Sequence, residues 1–133
     1  MELLHGDISS LILKAFYSTY TILPYGLDKS FYVNTLLLEM KSLGLSIEEN
    51  KKHKIFHKEN LIGEINLDVV VNNLIILKID NLKGFIKVEQ IDQNKVFLKM
   101  TNYEVLLLLN FGIELEHKRI FMTNDFKKIG DSK

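Results

Sequence analysis

The stretch Leu67-Asp68-Val69-Val70-Val71-Asn72-Asn73-Leu74-Ile75-Ile76-Leu77-Lys78-Ile79-Asp80 decides the fold. Two apolar runs flank an Asn-Asn pair, and asparagine tolerates positive φ better than most residues, so the stretch reads as a β-hairpin. Its first strand spans Leu61–Val71, with Ile65, Leu67 and Val69 alternating, and its second spans Leu74–Ile79. Further on, Tyr103–Asn110 is a continuous apolar run, the pattern of a strand buried on both faces. Between them the period becomes helical over Lys83–Met100, with Phe85, Val88, Ile91 and Phe97 or Leu98 sharing a face. A strand, a helix and a second strand in that order predict a right-handed crossover between parallel neighbours. The sheet is therefore expected to be mixed.

Upstream, Ile8, Leu11, Ile12, Ala15, Phe16 and Thr19 form one stripe of a helix over Ile8–Tyr20, with Asp7 as its N-cap. Pro24-Tyr25-Gly26 breaks the chain. A second helix follows over Asp28–Leu43, with Phe31 and Leu38 facing inward and Gly44 at the C′ position. Ser46–His57 reads as a polar, exposed edge strand, and Lys58-Glu59-Asn60 as a turn. Leu115–Met122 closes the domain as a charged, alternating strand, and Asn124–Lys133 is a polar tail expected to fray. The reading is one α/β domain over residues 1–123, ordered ααβββαβ with an added strand, and a tail over 124–133.

The bulk properties agree with a globular chain. Of 133 residues, 47% are hydrophobic and 26% charged, a balance that excludes a disordered protein. There is no cysteine, so disulfide and thiolate-metal chemistry are excluded, which favours a reducing compartment. No apolar run approaches the roughly 20 residues of a membrane helix, and no signal-peptide pattern opens the chain. A cytoplasmic protein without membrane contact is expected. Formal net charge is zero, so no global field draws the chain to nucleic acid.

Four blocks carry a resemblance. They are Leu23-Pro24-Tyr25-Gly26-Leu27 with Tyr32, the Asp68–Leu77 hairpin, Gln93, and Asn110-Phe111-Gly112 with Leu115-Glu116-His117-Lys118-Arg119-Ile120. In this order and spacing the chain resembles the GxxExxY proteins, a small bacterial family related to the PD-(D/E)XK nuclease superfamily. The resemblance implies a restriction-endonuclease-like core and an active site in which strand carboxylates hold Mg²⁺ beside a lysine. Asp68 keeps the first carboxylate. The E-x-K triplet falls on Lys78-Ile79-Asp80, the motif glutamate on Lys29, and the acidic residue of the first helix on Ser18. Gly26, Tyr32 and Gln93 remain as packing or phosphate-side groups.

The electrostatic consequence is that a cation is attached covalently where one would otherwise bind. Lys78 is expected to pair with Asp68, a gain of roughly 4 kcal/mol at about 4 Å before desolvation. Hairpin register decides this. A two-residue connection sets Asp68 opposite Leu77, whereas a three-residue connection or a bulge sets it opposite Lys78. The leading expectation is a non-catalytic binding or scaffolding module without cofactor, whose partner is another protein, a second copy or nucleic acid. The alternative is a metal-dependent nuclease with a displaced Mg²⁺ site built from Glu64, Asp68 and Asp80, with Glu89 or Asp92 as further donors. Two surfaces compete for the partner. Lys51, Lys52, Lys54 and Lys58, interleaved with His53, Phe56 and His57, suit phosphate contact and base stacking or simply a solvated edge. Without a third ligand, His53 and His57 make a poor metal pair. Tyr17, Tyr20, Tyr25, Phe31 and Tyr32 suit either core packing or a dimer surface.

Overall fold

The computed structural model describes residues 4–127. Helices α1 (Gly6–Ile22) and α2 (Lys29–Ser42) lead into strands β1 (Ile47–His57), β2 (Asn60–Val71) and β3 (Ile75–Asp80). Helix α3 (Val88–Lys99) then connects to β4 (Val105–Phe111) and β5 (Leu115–Phe121), and a 3₁₀ turn covers Asn124–Phe126. The strands lie in chain order, β1-β2-β3-β4-β5. Only β3–β4 is parallel, joined through α3; the other pairs are antiparallel. The mixed α/β sheet and its crossover therefore form as the apolar periodicity requires.

Alternation along the strands splits the core between two faces. Val69, Val71, Ile75, Leu77, Val105, Leu107, Leu109 and Phe111 pack with Ile12, Phe16, Tyr32, Leu36 and Met40 of α1 and α2. Val70, Ile76, Leu106, Leu108 and Ile120 pack with Leu98 of α3. A strand such as β4 that is covered on both sides must be apolar throughout, and all seven of its residues are buried.

Several element details differ from expectation. Helix α1 starts at Gly6, after His5 in a left-handed conformation, so Asp7 lies in the first turn rather than at the cap. There its charge still favours the positive helix end. Helix α2 buries Tyr32, Leu36, Leu37 and Met40 and exposes Phe31 and Leu38. One stripe cannot hold both sets, and Tyr32, Leu36 and Met40 repeat at i, i+4 and i+8. Its end is a Schellman motif: Leu45 N–H donates to Met40 O and Gly44 N–H to Lys41 O, with Gly44 at φ 84°. Helix α3 starts at Val88 rather than Lys83, leaving Phe85 and Val88 exposed. Of the expected tail, residues 128–133 lie outside the described residues.

Candidate functional site

Strand pairing settles the hairpin register. Val71 faces Ile75, Val70 faces Ile76 and Val69 faces Leu77, so the connection has three residues, 72–74. Asn72 and Asn73 take φ of 52° and 54°, and Leu74 N–H closes the turn onto Val71 O. One step further along this register Asp68 meets Lys78. The Lys78 ammonium donates to Asp68 Oδ2 at 2.8 Å. Asp68 Oδ1 accepts from Asn66 Nδ2 at 3.3 Å. On its other side the ammonium lies 5.1 Å from the centre of the Phe97 ring of α3, a cation–π distance. The carboxylate is thus occupied on both oxygens, at a spot where the Lys78 and Asp68 side chains are 25% and 39% exposed.

The remaining expected residues distribute unevenly. Asp80 shares the Lys78 face by alternation and sits beside Asn110 in the β3–β4 register. Gln93 is exposed on α3, one turn before Phe97. Glu64 lies far out on β2, opposite Lys54. Glu89 and Asp92 are exposed, and Asp92 pairs with Lys95. Lys29 is exposed at the start of α2, and Ser18 lines an open groove on α1; both belong to the helix layer on the sheet face opposite α3. Neither joins the Asp68–Lys78 pair. Tyr32 is a core staple. Its hydroxyl donates to Pro24 O at 2.6 Å and accepts from Leu27 N–H at 3.1 Å, while its ring stacks on Phe111 at 5.0 Å.

A family model described as the PD-(D/E)XK nuclease superfamily matches residues 6–120. The chain belongs to the PD-(D/E)XK nuclease superfamily. No curated protein and no solved structure matches it.

In this superfamily member the groups around Asp68 do not suit a divalent ion. Such an ion seeks several hard oxygen donors, and Asp68 instead faces an ammonium. Among the described residues no three His, Cys, Asp or Glu side chains converge as metal ligands. The displaced set Glu64, Asp68 and Asp80 is therefore corrected: these carboxylates are not brought together. Glu64 stands four residues from Asp68, roughly 13 Å along an extended strand.

The sequence named Asn110, Gly112 and Glu116 only as matching strings, and what they do at this end of the sheet appears in the structure. Asn110, 1% exposed within an apolar run, accepts from Leu82 N–H at 2.7 Å and donates to Gly84 O at 3.1 Å. Glu116 accepts from Ile86 N–H at 2.7 Å, and Gln90 Oε1 caps α3 by accepting from Lys87 N–H. A Cβ on Gly112 would collide with the backbone oxygen of Leu82. The Asn110-Phe111-Gly112 string was the available signal, because a lone amide inside an apolar strand needs buried partners.

The basic run divides. Lys51 turns inward, donating to Tyr103 Oη at 2.8 Å and Asn73 Oδ1 at 3.1 Å, with Glu48 at 3.4 Å. The Tyr103 hydrogen bond leads in holding its pKa above the ordinary lysine value. Lys51 is thus corrected from a free phosphate contact to a clamp between β1 and the start of β4. Lys52, Lys54 and Lys58 remain exposed. No helix among the described residues is long and apolar enough to cross a membrane.

Proposed function

We propose that this chain is a GxxExxY-type member of the superfamily that no longer cleaves nucleic acid and serves as a binding or scaffolding module in the bacterial cytoplasm. One observation carries the reading: the Lys78 ammonium lies 2.8 Å from the Asp68 carboxylate. A cation brought to that carboxylate would displace or confront a fixed positive charge, at an energy of about the same size as the attraction it gains. Asp80, where the pattern has a lysine, removes the group that would neutralise charge on a phosphate.

Calorimetric titration with Mg²⁺ and Mn²⁺, together with incubation on single- and double-stranded DNA and RNA, tests this. The expected result is neither heat attributable to Asp68 nor cleavage. Metal-dependent cleavage that disappears in Asp68→Ala would restore the reading of a nuclease with a rearranged site.

A further inference from the structure

The first edge of the sheet carries a charge order that the Asp68–Lys78 site does not use. β1 is the terminal strand, so among the described residues one side of its backbone has no partner in the sheet. Along it the acids come first, Glu48 and Glu49, and the lysines follow, Lys51, Lys52 and Lys54. Glu48, Glu49, Lys52 and Lys54 are all exposed. The β1–β2 ladder also outruns the rest of the sheet. It continues to His57 opposite Asn60, whereas β3 pairs with β2 only over Val69–Val71. The outer half is a two-stranded ribbon, an arrangement of marginal stability by itself in water. It leaves Phe56, Leu61 and Ile62 exposed at 42%, 54% and 65%.

We propose that the β1 edge makes an antiparallel contact with a second copy of this chain. Charge complementarity selects that occupant. A register centred between Asn50 and Lys51 sets Glu49 opposite Lys52 of the second copy, and two-fold symmetry repeats the contact. A parallel arrangement would set acid against acid and base against base, which is destabilising. Lysines on an edge strand ordinarily prevent association. Here acids of the same strand offset them, so the edge disfavours a strand of one charge sign and accepts its own reverse. Asn50, at φ 52°, lies at the centre of the contact, so both copies bend at the same point. The result is one continuous sheet with five strands from each copy, held by main-chain hydrogen bonds. The contact holds whether or not Asp68 takes part in catalysis.

Sedimentation velocity over a concentration series tests the proposal, with the variants E48K/E49K and K52E/K54E beside the wild type. The wild type is expected to dimerise and to weaken with added salt. Each variant should associate roughly 100-fold less, taking about tenfold for each of two symmetry-related reversed contacts. An equimolar mixture of the two variants should recover a dimer containing one copy of each, because their charges again alternate. Recovery in the mixture also shows that both variants are folded. A wild type that stays monomeric throughout, variants that dimerise as well as the wild type, or exposed lysines that instead bind an oligonucleotide to a monomer would each overturn it.

Discussion

Replacing Lys78 by glutamate tests the electrostatic account of the site most directly. At 2.8 Å and an effective dielectric near 20, the Coulomb attraction to Asp68 has a ceiling of about 6 kcal/mol. The two side chains are 25% and 39% exposed, so solvent screens most of it, and pairs of this kind contribute about 1 kcal/mol net. The Phe97 contact adds roughly 0.5–1 kcal/mol. Lys78→Glu forfeits both and sets two carboxylates a few ångströms apart, at a further cost of about 1–2 kcal/mol. The expected loss is about 2–4 kcal/mol, or a fall in Tm of roughly 10 °C for a chain of this size. The variant also presents two hard oxygen donors on facing strands, so millimolar Mn²⁺ should recover several degrees. The wild type should not respond, and Lys78→Met should lose about 1–2 kcal/mol with no response to Mn²⁺. Urea denaturation followed by circular dichroism, with and without Mn²⁺, measures all three. If Lys78→Glu stays within about 0.5 kcal/mol of wild type and ignores Mn²⁺, Asp68 and residue 78 are not electrostatically coupled and the reasoning fails.

Three further outcomes follow from the packing. Asn110→Ala leaves Leu82 N–H and Gly84 O without their partners and should cost about 2–5 kcal/mol in the same denaturation assay. Tyr32→Phe keeps the stack on Phe111 but releases Pro24 O and Leu27 N–H; a loss of about 1–2 kcal/mol is expected, with faster amide exchange at Leu27. Burial lowers the pKa of Lys127 from 10.5, and nearby Glu104 only partly offsets this. The unfolded chain then holds its proton to higher pH, so this group makes stability rise with pH in the range just below 10.5. Lys127→Met should flatten that rise, whereas Lys51 acts in the opposite sense, its raised pKa contributing stability that is lost as pH climbs past 10.5.

The contrast between Lys51 and Lys78 explains how much of the site was legible. Lys78 was readable because its partner lies ten residues away in a hairpin whose register has few solutions. Lys51 was not, because its partner Tyr103 is fifty-two residues distant, and strand alternation says nothing about which loop arrives above a strand. The same distance effect moved the start of α3. Phe85 and Val88 have the spacing of a buried helix face, yet residues 82–86 are held open as a loop by Asn110 and Glu116 from two later strands. Periodicity reports local burial, and hydrogen bonds from remote side chains override it. The helices, the hairpin and the crossover were legible because apolar spacing alone specifies them.

The residues that carry the sequence resemblance fall into two physical groups. Tyr32, Asn110, Phe111 and Gly112 bind the ends of the sheet to its loops through side-chain hydrogen bonds, a ring stack and a close backbone approach. None of them touches Asp68 or Lys78. Removing the Asn110 amide or adding a side chain at Gly112 would leave buried polar groups unpaired or force backbone to move, a cost of about 2–5 kcal/mol against a typical stability of about 5–15 kcal/mol. Positions 29, 78 and 80 are different. They are half-exposed or exposed, and a strand tolerates any charge there that finds a partner or solvent. A carboxylate left alone at position 68 would be a modest liability, and an ammonium 2.8 Å away removes it. The contacts that hold the sheet ends to their loops therefore stand apart from the Asp68–Lys78 pair, so the charges at positions 29, 78 and 80 can be exchanged without undoing them.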